Sequence, residues 1–443
     1  MKYFGTDGIR GIAGAELTAE LALRVGEALG RLIAEEGGRR KVLIGTDTRG
    51  SADMLESALC AGLLSSGCDA VCLGVAPTPA VAYLAAKEQS VGVVISASHN
   101  PCEYNGIKVF GADGFKLSEA KEARIEELTD APPFRSVSLG RRLTEPTMLE
   151  EYIEHLTACG GDLSGLRIGV DAANGATYTI AARVLTALGA ECTVIGNAPD
   201  GININLYCGS TNTAALSSLV VKLGLHAGVA FDGDGDRLIA VDEHGGIVDG
   251  DTGLGILAAR MVSEGRLKKN TVVGTVMTNA GLIKFLRGIG VDFISTPVGD
   301  KYVSEEMDRC CAILGGESSG HLILRDHATT GDGILSALML LGELLHSGLP
   351  LSRLSAEIPK MPQVTVNLPA DNEKKARLSG EDISLLLAEY ERRRDCAGLL
   401  VRASGTEPCI RITVSAEDRE TAESLAREIK DRLGTALDQA NAP

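Results

Sequence analysis

Three times along this chain an apolar run stops abruptly in a loop of glycine, serine or acidic residues. Val91-Gly-Val-Val-Ile95 runs into Ser96-Ala-Ser98-His-Asn-Pro101, Ala227-Gly-Val-Ala-Phe231 into Asp232-Gly-Asp-Gly-Asp236, and Ala312-Ile-Leu314 into Gly315-Gly-Glu317-Ser-Ser319-Gly-His321. Each is preceded by half a βαβ unit: Lys41–Gly45 with a helix over Met54–Leu64, Leu166–Asp171 with one over Ile180–Leu188, and Thr271–Gly274 with one over Leu282–Ile289. One α/β plan is therefore repeated. Ligands of open α/β sheets bind beyond the carboxyl ends of strands, so three such domains around a cleft would aim the three loops at one another. After about residue 360 the pattern changes to strand pairs, Ala397–Val401 and Ile410–Val414, and a closing amphipathic helix over Glu417–Leu433. Boundaries fall at 1–145, 146–250, 251–362 and 363–443.

Composition narrows the function classes. The formal charge of −16 argues against a broad nucleic-acid or membrane surface, so an anionic substrate needs a locally basic pocket. The longest apolar tract, Ile334–Leu345, is twelve residues and contains Glu343, and the start has no apolar leader, which reads as a cytoplasmic protein. Eleven cysteines, none spaced C-x-x-C, make disulfides and zinc unexpected; Cys102 and Cys409 read as packing.

Asp232, Asp234 and Asp236 place three carboxylates on alternate residues, with glycines between them that let the backbone curl toward one point. Crowded hard oxygen ligands call for Mg²⁺ or Ca²⁺. A calcium EF-hand would count Asp232 as position 1 and Glu243 as position 12, but Arg237 stands where glycine is needed and the flanks read as strands. Arg237 instead suits a phosphate beside the metal. Ser98 and His99, after a buried strand, offer a nucleophile and an imidazole; alone, such a Ser-rich stretch is more often a turn. The metal loop at the corresponding place in the next repeat shifts that balance, because a divalent cation can neutralise a phosphoryl group carried on Ser98. Lys108 is a proton carrier, a phosphate clamp, or simply a solvated lysine. Glu317, Ser319 and His321 are of the kind that read sugar hydroxyls. Arg402, Ser404, Gly405 and Thr406 combine a fork-shaped cation, hydroxyls and backbone N–H groups suited to a phosphate that does not react. Gly5–Gly11 is a compact Gly/Arg loop that composition leaves without a role. Neither a Walker motif nor a kinase signature set occurs, so the phosphoryl group would have to live on the protein.

Taken together, these loops resemble the α-D-phosphohexomutases, in the same order and over nearly the whole chain. The resemblance implies an α/β fold of three similar domains with mixed sheets around a central cleft, plus a smaller α+β C-terminal domain. It implies an isomerase with Ser98 as the phosphoserine, one Mg²⁺ held by Ser98, Asp232, Asp234 and Asp236, sugar reading by Glu317, Ser319 and His321, and a distal phosphate held at Arg402–Thr406. Arg10 and Lys108 match positions implicated in proton transfer. The opening Tyr3–Gly11, Gly201–Asn205, Cys208–Thr211 and Thr329–Gly333 are most similar to bacterial members acting on glucosamine phosphates. That implies interconversion of glucosamine 6-phosphate and glucosamine 1-phosphate through a glucose or glucosamine 1,6-bisphosphate that serves as primer or intermediate. An activating kinase or bisphosphate sugar would prime Ser98, and a homodimer is compatible. The departures are Ser318 in place of glutamine, Lys301 in place of arginine, and Asn212-Thr213 in place of His-Pro. They bear on sugar choice. The alternatives are a mutase for glucose or mannose phosphates, a Mg²⁺-dependent phosphatase using the aspartate loop, and a noncatalytic acidic metal-binding protein.

Overall fold

The computed structural model describes residues 2–134, 136–404 and 407–439. By compactness the chain divides into two units, Met1–Thr275 with Ile294–Glu357, and Val276–Phe293 with Ile358–Pro443.

In the first unit three mixed sheets repeat one arrangement. The seven-stranded sheet runs Phe4–Gly5, Gly8–Ile12, Tyr104–Phe110, Val91–Ile95, Lys41–Thr46, Asp69–Val75, Arg142–Thr144. Val91–Ile95 lies parallel to Lys41–Thr46 and antiparallel to Tyr104–Phe110, so the serine loop is the turn of a hairpin rooted in a parallel sheet. Ala227–Phe231 repeats this, parallel to Arg167–Asp171 and antiparallel to Leu238–Asp242. So does Leu314–Gly316, parallel to Thr271–Thr275 and antiparallel to Leu322–Leu324. Each loop thus leaves the carboxyl end of a buried strand and returns beside it.

Two sequence expectations change. Gly5–Gly11 is not a loop but a hairpin of Phe4–Gly5 and Gly8–Ile12 that extends the first sheet, with Arg10 opposite Gly106. Its glycines mask the strand pattern because they supply no alternating side chains. In the third repeat the strand is Leu314–Gly316 rather than Ala312–Leu314: Gly315 and Gly316 are ladder residues, and a Cβ on Gly315 would lie 2.6 Å from Met307 Sδ. The four expected helices form, over Ala52–Ser65, Ala181–Ala187, Ala280–Gly288 and Arg419–Gln439. No helix among the described residues is long and apolar enough to cross a membrane.

Helix Ala19–Glu35 starts where Thr18 Oγ1 accepts the Leu21 N–H at 3.1 Å, and it buries Ala22, Val25, Leu29 and Ile33 at helical spacing. It crosses Ala52–Ser65 so closely that a Cβ on Gly62 would lie 2.0 Å from the Leu23 carbonyl oxygen.

The second unit carries a three-stranded antiparallel sheet, Gln363–Pro369, Cys409–Ser415, Gly398–Ala403, backed by Glu381–Glu391 and Arg419–Gln439. Its core gathers Ile383, Tyr390, Ile410, Ile412, Leu425 and Ile429.

The Gly62 crossing gives a direct test. Ala normally stabilises a helix by about 1 kcal/mol over Gly, but here overpacking against backbone costs about 1–3 kcal/mol. Gly62→Ala should therefore lower the midpoint of urea unfolding, and a raised midpoint would refute the tight crossing.

Candidate active site

The turn that carries Ser98 is fixed by a buried ion pair. Arg49 Nε donates to Asp47 Oδ2 at 2.8 Å, and neither side chain reaches solvent. The rest of the guanidinium donates to the carbonyls of Ser98 (2.9 Å), Asn100 (2.8 Å), Tyr104 (3.0 Å) and Pro101. Asp47 Oδ2 also accepts from Ser96 Oγ at 2.6 Å, and Ser96 Oγ in turn accepts the Ser98 N–H at 2.9 Å. Burial pushes the Asp47 carboxyl up, more than Arg49 pulls it down. Ser98 itself has φ +53°, a left-handed conformation that costs a β-carbon residue of order 1 kcal/mol and persists because these bonds over-determine it.

The aspartate loop meets this turn edge to edge. A Cβ on Gly233 would lie 2.5 Å from the Ser98 carbonyl oxygen, so only glycine permits the approach. Asn205 binds the same turn, its Nδ2 donating to the carbonyls of Ser98 at 2.9 Å and Asn100 at 3.1 Å. Ser98 Oγ donates to Asp232 Oδ2 at 2.6 Å and lies 3.2 Å from His99 Nδ1.

Asp232, Asp234 and Asp236 are all buried and bring one ligand oxygen each within 4.8 Å of one another. Asp234 Oδ2 accepts from Lys108 Nζ at 2.7 Å and Thr78 Oγ1 at 2.6 Å, while Asp234 Oδ1 and Asp236 Oδ1 have no hydrogen-bond partner. Burial and then repulsion from Asp236 and Asp234 hold the Asp232 carboxyl well above the usual range. Burial also opposes ionisation of Asp234, but Lys108 overrides it and holds that carboxyl below the usual range. Crowded carboxylates with unpaired oxygens, all hard ligands, are the donor set of a small divalent cation. The EF-hand arrangement is not formed: Glu243 follows strand Leu238–Asp242 and accepts the Ser352 N–H at 3.2 Å.

A chain of charges ties the three loops together. Lys108 Nζ lies 2.7 Å from Asp234, 2.9 Å from Asp7 and 3.5 Å from Asp236. Burial works against its charge, but the three carboxylates win and raise its pKa well above the usual lysine range. Asp7 also pairs with Arg10 and Lys116, Lys116 with Asp300, and Asp300 Oδ2 lies 3.4 Å from His321 Nε2. Arg10 Nε, Arg237 Nε and both His321 ring nitrogens are buried without a hydrogen-bond partner. Arg237 Nε stays 3.7 Å from Asp236 and 3.9 Å from Asp232, beyond hydrogen-bond range. Two buried guanidinium N–H groups without protein acceptors are suited to an incoming anion. Glu317 and Ser319 are half-buried, and Glu317 Oε1 accepts the Gly299 N–H at 3.2 Å. Beside them a cavity of ≈ 340 Å³ is lined by Phe115, Lys116, Asp300, Ser304, His321 and Thr330, among others.

Ser98, His99, Lys108, Arg10, Arg237, the three aspartates and His321 are thus gathered in the first unit. Arg402 and Ser404 belong to the second, Arg402 exposed and Ser404 buried with Oγ accepting the Glu407 N–H at 3.1 Å. Gly405 and Thr406 lie outside the described residues. Sequence reasoning missed Asp7, Asp47, Arg49, Thr78, Lys116, Asn205 and Asp300. Asp47 and Arg49 follow the first repeat's opening strand, and a charged residue at a strand's carboxyl end was the available signal. Lys301, the departure noted above, makes a buried pair with Glu122 at 2.7 Å.

Burial first, then Arg237 and Arg10, pushes the His99 imidazole down to about 4. Its folded pKa lies below the unfolded value near 6.5, so the unfolded chain takes up the proton first and stability falls as pH drops from about 6.5 toward about 4. Unfolding midpoints measured across that window should fall less steeply in His99→Gln than in wild type; equal slopes would contradict the assigned environment.

Comparison with known families gives one consistent match. Residues 1–136, 150–246 and 249–361 match the phosphoglucomutase/phosphomannomutase alpha/beta/alpha domains I, II and III, and residues 366–432 match the C-terminal domain of that family. A phosphoglucosamine mutase of Acetivibrio thermocellus is 44% identical over 447 residues, covering 98% of this chain and 100% of the relative. Among solved structures, a phosphoglucomutase/phosphomannomutase family protein of Burkholderia thailandensis superposes with a TM-score of 0.82 at 25% identity, over 98% of this chain and 97% of the other. An N-acetylphosphoglucosamine mutase of Aspergillus fumigatus, solved in complex with GlcNAc-6P and magnesium, shares the fold with a TM-score of 0.67 at 17% identity, over 98% and 96% of the two chains.

Proposed function

The chain belongs to the phosphoglucomutase/phosphomannomutase family, and on that premise we propose that it interconverts glucosamine 6-phosphate and glucosamine 1-phosphate through a phosphoserine at Ser98 and a bound 1,6-bisphosphate. The four domains are taken as bounded near residues 145, 250 and 362. The enzyme is an isomerase, an intramolecular phosphotransferase. The observation that carries the reading is the serine hydroxyl 2.6 Å from Asp232, beside two carboxylates with unpaired oxygens and two arginines whose buried Nε–H groups lack an acceptor.

Asp232, Asp234 and Asp236, with an oxygen on Ser98, would hold Mg²⁺. When bound, Mg²⁺ neutralises the charge on the phosphoryl oxygens and stabilises their transfer. The Nε–H groups of Arg10 and Arg237, which have no protein acceptor, would donate to the same oxygens. Lys108, paired with Asp234 and Asp7, offsets the acidic charge and positions Asp234, and with Arg10 it is assigned to the acid-base steps. O1 of the 6-phosphosugar attacks phosphorus, the bond from phosphorus to Ser98 Oγ breaks, and the proton lost by the sugar is recovered on Oγ, with His99 Nδ1 3.2 Å away to relay it. The bisphosphate then reverses, and its 6-phosphate returns to Ser98. Glu317, Ser319 and His321 read the sugar, and the loop at Arg402 is assigned the phosphate that is not reacting. Exclusion of water keeps the transfer from becoming hydrolysis. Priming of Ser98 falls to a kinase or a sugar bisphosphate. The reading places the enzyme in the cytoplasm, in the supply of UDP-N-acetylglucosamine for the cell wall.

Phosphorus NMR with glucosamine 6-phosphate, Mg²⁺ and a trace of glucose 1,6-bisphosphate tests this. Wild type should generate a glucosamine 1-phosphate signal without net inorganic phosphate, and Ser98→Ala should lose more than ~10³-fold in rate. Chelation of the metal should stop turnover and Mg²⁺ restore it. Release of inorganic phosphate alone, with Ser98→Ala still active, would replace the mutase by a phosphatase; conversion of glucose or mannose phosphates in preference would move the sugar assignment.

A further inference from the structure

Asp234 is gripped from outside its own loop by Thr78, the residue that opens helix Thr78–Glu88. As the first residue of the helix, Thr78 has an N–H with no intrahelical acceptor, and that N–H donates to the Asp234 carbonyl oxygen at 2.8 Å. The Thr78 hydroxyl donates to Asp234 Oδ2 at 2.6 Å. Both residues are wholly buried. Prolines at 77 and 79 flank Thr78, so neither neighbour brings a competing N–H and the backbone is held stiff. Pro77 also backs the aspartate loop, since a Cβ on Gly235 would lie 3.3 Å from Pro77 Cβ.

The two oxygens of Asp234 are thereby made unequal. Oδ2 takes Thr78 Oγ1 at 2.6 Å and Lys108 Nζ at 2.7 Å, while Oδ1 is buried without a hydrogen-bond partner. Rotation of a carboxylate about its terminal bond is soft and would exchange the two. Lys108 is poorly suited to prevent that: its flexible stem carries one ammonium shared with Asp7 at 2.9 Å and Asp236 at 3.5 Å. Thr78 is β-branched, stiff at its first side-chain torsion, and already bonded to the same residue through its backbone. The start of the helix needs only the N–H, so the hydroxyl is spare for the carboxylate.

We propose that Thr78 is a positioning residue for the cation: its two bonds to Asp234 occupy Oδ2 and turn Oδ1 toward the metal. The inference rests on the reading of Asp232, Asp234 and Asp236 as a Mg²⁺ site. Carboxylates that bind metals are themselves commonly hydrogen-bonded, and loss of such an outer partner costs metal affinity. Without the hydroxyl, Asp234 would keep only Lys108 and would have to be ordered again each time a cation binds. Both Thr78 donors go to Asp234, so the loss falls on the metal and not on the groups assigned to the sugar.

Mn²⁺ is the probe, a paramagnetic stand-in for Mg²⁺ whose free signal in electron paramagnetic resonance disappears on binding. The full chain is titrated without sugar. Thr78→Val, which keeps the shape and removes the hydroxyl, should bind Mn²⁺ at least about tenfold more weakly than wild type, and Thr78→Ser should stay within about twofold. Thr78→Cys, with a weaker donor, should fall between them, and the comparison of Ser with Cys still decides the matter if the valine variant does not fold. In turnover, Thr78→Val should need more Mg²⁺ for half-maximal rate while KM for glucosamine 6-phosphate at saturating Mg²⁺ is unchanged. Equal Mn²⁺ affinity in all four chains would overturn the role of Thr78 and leave the metal site standing. Equal weakening in Thr78→Ser and Thr78→Val would assign the effect to packing and overturn it as well. Absence of Mn²⁺ binding by wild type would overturn the metal reading and this inference together.

Discussion

Lys108 sits almost wholly out of water with carboxylates at 2.7 and 2.9 Å, and the site depends on that contact. Each such pair gains of order 5 kcal/mol at an effective dielectric near 20, against several kcal/mol per ion of lost hydration. The sum is close to balance only while every partner is present. Removing one leaves a buried charge uncompensated, at about 3–5 kcal/mol. Burial of this many charges is therefore not a source of stability. It holds one constellation of oxygens and cations in place, with some oxygens and N–H groups left unpaired for what is to bind.

That constellation needs a rigid frame, which the hairpins supply. In all three sheets of the first unit the site loop joins a strand buried in a parallel pair to an antiparallel return strand, so both ends of the loop are hydrogen-bonded into the sheet. Lys108 profits directly: it lies opposite Val94 in the ladder, one pair inward from Ile95 and Ile107. The Arg49–Asp47 pair adds the remaining constraint by gripping the carbonyls of the serine turn, and so retains Ser98 in a conformation it would not adopt alone. Packing of Gly233 against that turn joins the nucleophile loop to the metal loop without an intervening side chain.

The chemistry of the cation site follows from its ligands. The aspartate triad presents hard oxygens wholly buried and already converged. Hard oxygen ligands of this kind select a hard cation such as magnesium over softer ones.

Much of this was legible in the residues. The three strand-then-loop repeats gave the α/β plan, since apolar runs and helical periodicity are local properties. Asp232, Asp234 and Asp236 could be read as cation ligands because their spacing is itself the chemistry, and Ser98 could be read through its equivalent place one repeat earlier. What remained hidden was every contact made across long stretches of chain. Asp7 meets Lys108 and Lys116 more than a hundred residues away, and Lys116 meets Asp300 farther still. The opening hairpin was hidden by its glycines. The sequence by itself determined which chemical groups exist and which short segments present them. Only the tertiary structure decided which charges are buried together, because desolvation and Coulomb energies depend on distances that folding sets and chain order does not.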